Sequence, residues 1–236
     1  MKLAIILAAG RGKRFDVDGF EKPKGLIEFN GKPIIERSIE LLFEHGIDEI
    51  YVITGYNGHE YTYLNYKYKN VGLIRNDNWR NFGSSGSFFV GLKHAQEENV
   101  SSCLFLDSDI VFSKNALPPY VSNRSVITLN TEIMRNDDSV YAKIDEKRNL
   151  TSLSKTNESG REYVGIFRLN QTDMDVIIDS YKYEDELDEY EETLIKNKIS
   201  IAAYDGNFIW SEIDTISDYY YTSNNIIPLL YETTSI

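Results

Sequence analysis

One cysteine, Cys103, stands in a chain of 236 residues. No internal disulfide can form, and the chain reads as a protein of a reducing, cytoplasmic compartment. Long apolar runs are lacking too. The stretch after Met1-Lys2 stops at Gly10, too short for a signal-peptide core with its cleavage site and far too short to cross a bilayer. No later stretch approaches a membrane span, so the expectation is no membrane insertion. Positive charge is scarce: 25 Lys and Arg against 37 Asp and Glu leave a formal net charge of −12. A surface of that sign repels nucleic acid and argues against DNA or RNA as a partner. The three histidines, His45, His59 and His94, share no zinc-like spacing with each other or with Cys103.

Two phosphate-binding fingerprints are missing as well. No Gly-x-x-x-x-Gly-Lys-Ser/Thr occurs, and the dinucleotide pattern Gly-x-Gly-x-x-Gly fails because position 15 is Phe15. What remains is a different arrangement. The apolar run Lys2–Ala9 reads as a buried parallel strand, and Gly10 and Gly12 follow it directly. In an open parallel sheet, ligands bind beyond the carboxyl ends of the strands. Glycines there let the backbone approach a phosphate, and successive N–H groups form an anion nest. Arg11, Lys13 and Arg14 share the loop, with Lys22 and Lys24 close behind. Such dense local charge suits a polyphosphate; the alternative is a solvated basic loop.

The rest of the chain alternates strands and helices. Pro33–His45 carries apolar residues at helical spacing, with Pro33 near its start and Gly46 after its end. Glu49–Thr54, Val71–Arg75 and Ser102–Leu106 read as strands, and Ser85–Glu98 as a helix. Ser125–Phe167 suggests mixed or antiparallel strands. Helices are expected over Thr172–Tyr181, Glu186–Asn197 and Ile216–Leu230, with a strand over Ile199–Tyr204. The acidic run around Glu184–Glu192 reads by default as a solvated helix face. This alternation implies one α/β domain with a mostly parallel mixed central sheet flanked by helices.

Three segments in order carry a resemblance: Ile6-Leu7-Ala8-Ala9-Gly10-Arg11-Gly12-Lys13-Arg14, then Lys22-Pro23-Lys24-Gly25-Leu26, then Gly31-Lys32-Pro33-Ile34-Ile35-Glu36. Together they resemble the signature of the sugar-phosphate nucleotidyltransferase superfamily. The nearest branch is the small cytidylyltransferases of the phosphocholine and 2-aminoethylphosphonate type. The resemblance implies a Rossmann-like nucleotidyltransferase domain over residues 1–236, with a nucleotide-binding half (1–115) and an acceptor-binding half (116–236). It implies CTP as donor, a small phosphorylated or phosphonate acceptor, magnesium as cofactor, and a role in decorating surface polysaccharide or lipid. A homodimer is an open expectation.

Carried over residue by residue, Lys24 matches the lysine that contacts the phosphates, and Arg14 the arginine that meets charge on departing pyrophosphate. Leu7, Ala8, Ala9, Gly10, Arg11, Gly12 and Lys13 fall in the nucleotide loop. Asn81, Gly83, Ser84 and Ser85 fall where the family reads the base, and Asp107 is assigned to the nucleotide side. Asp109 and Asp214 match the two metal carboxylates, with Asp107 and Glu212 as their supports. Magnesium prefers such oxygen ligands. On the acceptor side stand Lys143, Lys155, Glu162, Tyr163 and Glu212. Lys143 and Lys155 are equally readable as exposed surface lysines. A cationic amine in the acceptor would want carboxylates and ring faces, which the Tyr-rich stretch near Glu191 offers. The chain lacks the Gln-containing base segment of the larger sugar-nucleotide enzymes, which favours the head-group branch. Transfer to a sugar 1-phosphate from UTP, dTTP or GTP is the alternative. A catalytically dead nucleotide-binding module is a third reading, but it predicts loss of Lys24 or a metal carboxylate, and all are present.

Overall fold

Six consecutive apolar residues, Leu3–Ala8, form strand β1, and all six are buried. Alternate side chains leave a strand on opposite faces. Ala4, Ile6 and Ala8 enter one hydrophobic layer, while Leu3, Ile5 and Leu7 enter the other. The computed structural model describes residues 1–15, 22–120, 123–132, 139–155, 160–181 and 189–232. After β1 come a short hairpin, β2 (Glu28–Phe29) and β3 (Lys32–Pro33), then α1 (Ile34–Glu44) and β4 (Glu49–Thr54). Next are α2 (Leu64–Lys67), β5 (Val71–Arg75), α3 (Ser84–Glu97), β6 (Ser102–Asp107) and β7 (Ile110–Phe112). The second part of the chain adds β8 (Ser125–Asn130), β9 (Tyr141–Ile144), β10 (Leu150–Ser154), β11 (Arg161–Asn170), α4 (Gln171–Ser180) and α5 (Tyr190–Lys196). It closes with β12 (Ile201–Gly206), β13 (Trp210–Glu212), α6 (Ile216–Tyr221) and α7 (Ile227–Glu232).

Nine strands among the described residues make the main sheet, with β5-β4-β1-β6-β11 as its backbone. β9 and then β10 extend it along the first half of β11, while β8 flanks β11 and carries β12 at the edge. β1, β4, β5 and β6 are parallel. β11 runs against β6, and β8 and β9 run against β11, which leaves β8, β9 and β12 aligned with β1. Only β10 and β11 are reversed, so the mixed sheet is mostly parallel, as expected.

Helices cover both faces. α1 buries Ile35, Ile39 and Leu42 on one side. On the other, α3 contributes Phe88, Leu92 and Ala95, α4 contributes Met174 and Ile177, and α5 contributes Tyr190 and Leu194. A third cluster packs Ile227 and Leu230 of α7 against Phe15, Phe29, Ile34 and Ile213. Cys103 is buried in β6, a small hydrophobe within the sheet.

Three elements depart from the expected pattern. The final helix is not continuous: a π-helical turn, Thr222–Ile226, separates α6 from α7. Pro228 lacks an N–H and its ring crowds the carbonyl four residues back, at Asn224, so the wider turn accommodates it. Thr222 is fully buried there and its hydroxyl bonds Ser211 Oγ at 2.7 Å. The acidic run is not simply a solvated face. Its residues 184–188 lie outside the described part, but Tyr190, which opens α5, is buried and Glu191 turns inward. Finally, β7 and β13 form a two-stranded antiparallel ribbon with Glu212 opposite Ile110. Neither strand shows in the sequence pattern, being only three residues long.

Candidate active site

The carboxyl ends of β1 and β6 open into one cavity of about 670 Å³. β1 delivers the loop Ala9–Arg14, and β6 delivers Asp107, Ser108 and Asp109. The β7–β13 ribbon supplies the opposite wall. Its pairing, extended by Ile213 N–H to the Asp109 carbonyl at 2.9 Å, brings residues 109 and 214 together although 105 positions apart. Asp214 is then held by the turn that starts α6. Its N–H reaches Asp218 Oδ2 at 3.1 Å, and Thr215 and Asp218 complete a capping box.

Lys24 stands at the centre. Its ammonium lies 3.0 Å from Asp109 Oδ2 and also bonds Asp214 Oδ1, while Arg14 reaches Asp214 Oδ1 at 3.0 Å. Burial works against charge on Lys24, but Asp109 and Asp214 outweigh it and raise its pKa above the ordinary lysine range. Gly12, at φ +64°, packs on the stem of this lysine; a Cβ there would stand 2.7 Å from Lys24 Cγ. The Tyr61 hydroxyl lies against Gly25 on the other side, where a Cβ would meet it at 2.8 Å.

Carboxylate oxygens of Asp109, Glu212 and Asp214 lie within 4.8 Å of one another. Burial, and then repulsion from Asp109, Asp214 and Asp107, pushes the Glu212 carboxyl well up. Burial raises Asp214 too, only partly offset by Lys24. Three crowded carboxyl groups, with charge costly on Glu212 and Asp214, are a donor set that a hard divalent cation would relieve. Their all-oxygen chemistry fits magnesium.

The remaining sites sort by position. Leu7 to Arg14, Gly83, Ser84, Asp107, Lys155, Tyr163 and Glu212 line the cavity. Asn81 is exposed and Ser85 is buried, and neither lines it. Ser87 takes their place at the wall, its hydroxyl accepting from Asn76 Nδ2 at 3.0 Å. Lys143 is exposed on β9, away from the cavity lining. Glu162 is buried and accepts from Ser139 Oγ. Strand alternation at β11 turns Tyr163 inward and its neighbour Glu162 away.

Trp79 and Arg80 line the cavity without having carried a signal in the sequence, whereas Tyr190 belongs to the Tyr-rich stretch near Glu191 that the sequence offered to a cationic amine. Trp79 and Arg80 sit just before the base segment, with the Arg80 guanidinium 4.8 Å from the Trp79 ring centroid. Tyr190 donates to Asp107 Oδ2 at 2.6 Å and shares a 3.0 Å hydrogen bond with the Tyr163 hydroxyl. Burial, reinforced by Asp109 and Glu191, drives the Asp107 carboxyl well up. Ser84 ties the two sides of the cavity: it donates to Glu189 and accepts from Tyr190 N–H at 2.9 Å.

A family model described as a MobA-like NTP transferase domain matches residues 4–153. The chain belongs to that family. This nucleotidyltransferase is 28% identical over 225 residues to the choline-phosphate cytidylyltransferase of Streptococcus pneumoniae, covering 92% of this chain and 94% of that one. It is 32% identical over 110 residues to the 2-aminoethylphosphonate cytidylyltransferase of Lancefieldella rimae, covering 47% of this chain and 44% of that one. The solved structure of the CTP:phosphocholine cytidylyltransferase from Streptococcus pneumoniae superposes with a TM-score of 0.79 at 25% identity, covering 94% of this nucleotidyltransferase and 98% of that chain.

Proposed function

We propose that this nucleotidyltransferase moves CMP from CTP to a small acceptor bearing a phosphate or phosphonate group, releasing pyrophosphate. The observation that carries this reading is the meeting of Lys24 and Arg14 with Asp109 and Asp214 at one point in the cavity. Cytidylyltransferase relatives of similar length lend it the donor and the acceptor class. The first half of the chain, 1–115, holds the nucleotide: its phosphates on the Gly10–Arg14 loop and its base against Gly83, Ser84 and Ser87. The second half, 116–236, receives the acceptor through Lys155, Tyr163 and α5.

An anionic oxygen of the acceptor forms a bond to the α-phosphorus. The α–β bridging bond breaks and its electron pair leaves with pyrophosphate. The attacking oxygen carries no proton to remove, so no general base is required. Lys24 and Arg14 must exchange carboxylate partners for phosphate oxygens as the nucleotide arrives, and they meet charge that grows on the departing group. Asp109 and Asp214, with Glu212 beside them, would hold magnesium, which when bound neutralises negative charge between the two anionic reactants.

Pyrophosphate release scored over CTP, UTP, dTTP and GTP, each with phosphocholine, 2-aminoethylphosphonate and glucose 1-phosphate, tests the reading. CTP with a head-group acceptor is expected to be fastest. A fastest rate with glucose 1-phosphate and UTP or dTTP would replace it with sugar-nucleotide synthesis.

A further inference from the structure

The cavity wall formed by α5 carries a feature that phosphate binding leaves unexplained. Glu191 lines the cavity, yet its Oε2 is buried with no hydrogen-bond partner. Around it, Glu189 and Asp107 add two more carboxyl groups against one ammonium, Lys155. A wall of this kind is built for a cation. Two chemistries recognise a cationic nitrogen: hydrogen bonds from N–H groups to a carboxylate, or contact of an alkylated cation with open aromatic faces. The two tyrosine rings beside Glu191 are not open. Tyr190 stacks on Phe167 at 5.4 Å and meets Phe88 at 5.8 Å, and it is 2% exposed. Tyr163 is 5% exposed, and both hydroxyls are committed to each other and to Asp107. The Trp79 ring carries Arg80. What the wall offers, among the described residues, is an unpaired carboxylate oxygen.

Resting on the cytidylyltransferase reading above, we propose that Glu191 selects the acceptor by accepting a hydrogen bond from its cationic N–H. The acceptor class is a phosphate or phosphonate on a short chain ending in a primary ammonium, in preference to a trimethylammonium. A quaternary nitrogen has no N–H and leaves Glu191 Oε2 as unpaired as it is without ligand. A site built to hydrogen-bond its substrate discriminates strongly against the analogue that lacks the donor.

The test is a methylation series with CTP: phosphoethanolamine, its N-methyl and N,N-dimethyl forms, and phosphocholine, comparing kcat/KM and calorimetric affinity. The first three keep at least one N–H at neutral pH. The expected result is a drop of at least tenfold on the last methylation alone, with Glu191→Gln pulling the ratio of phosphoethanolamine to phosphocholine toward one. An even decline along the series, or phosphocholine turned over as fast as phosphoethanolamine, overturns the role of Glu191 and leaves cytidylyl transfer standing. So does a Glu191→Gln variant that melts no lower than the wild type and keeps the wild-type ratio. No turnover of CTP with any of the four, or with 2-aminoethylphosphonate, overturns both readings.

Discussion

Asp214 joins the two halves of the site, since Lys24, Arg14 and the carboxylates of Asp109 and Glu212 all converge on it. Asp109→Ala and Asp214→Ala are each expected to lower turnover by about a hundredfold or more, the scale of a lost electrostatic stabiliser. Steady-state assays across a magnesium titration check this; wild-type rates in either variant, or in excess chelator, would remove the carboxylates from the site. Lys24→Ala should reduce kcat far more than it weakens CTP binding, because charge on the departing group develops only in the transition state. Burial pushes the Glu191 carboxyl up from an ordinary 4.5 to about 7. Between those values the folded chain holds a proton that the unfolded chain has released. Its contribution to stability is therefore present below about pH 4.5 and lost as pH rises through about 7. Glu191→Gln should accordingly raise Tm at pH 8 while leaving it close to wild type at pH 5. A Tm gain of equal size at both pH values would show that Glu191 is not carrying that proton. At this scale Lys24 was legible from its place in the signature after the basic loop. Tyr190 was legible only as part of the Tyr-rich stretch near Glu191; its hydrogen bond to Asp107, 83 positions away, shows only once the chain is folded.

The β7–β13 ribbon and the first half of β11 shape the wall that faces the nucleotide loop. Gly165 interrupts β11 at φ +78°, and a Cβ there would stand 2.8 Å from Asp107 Oδ2. Gly165→Ala meets both left-handed backbone strain of about 1–2 kcal/mol and that contact. It should lower Tm and activity together; an unchanged melt would show that β11 relaxes without cost. Tyr190→Phe removes the hydroxyl that links Asp107 to Tyr163 and should cost about 1–3 kcal/mol by leaving buried polar groups short of a partner. Chemical denaturation measures it directly, and a loss below about 0.5 kcal/mol would mean that water replaces the hydroxyl. Long elements were readable in the sequence because their periodicity spans many residues: Glu49–Thr54 and Val71–Arg75 fall where their apolar runs place them. The ribbon was not, since three residues cannot display a period. Only tertiary pairing shows that Trp210–Glu212 completes the cavity. The break at Thr222–Ile226 had a visible cause in Pro228, but the apolar spacing around it still reads as one helix.

Across the whole molecule, an acidic chain of net charge −12 lines one cavity with both Arg11, Lys13, Arg14 and Lys24 and the carboxylates Asp107, Asp109, Glu212 and Asp214. The class of the fold followed from alternation alone. Mixed or antiparallel strands were expected over Ser125–Phe167, and β11 runs against β6, β8 and β9; which neighbours it would take was not legible, because partners are set by pairing and not by composition. No helix among the described residues is long and apolar enough to cross a membrane. The central claim is that this cavity joins CMP to a phosphorylated or phosphonate head group. Phosphorus-31 NMR of CTP, magnesium and 2-aminoethylphosphonate with the enzyme tests it most directly. Cytidylyl transfer predicts that CTP disappears in step with one equivalent of pyrophosphate and one equivalent of a new phosphonate–phosphate anhydride, and that both signals vanish with Asp214→Ala. Release of orthophosphate with CDP, or consumption of CTP without the anhydride, would contradict it.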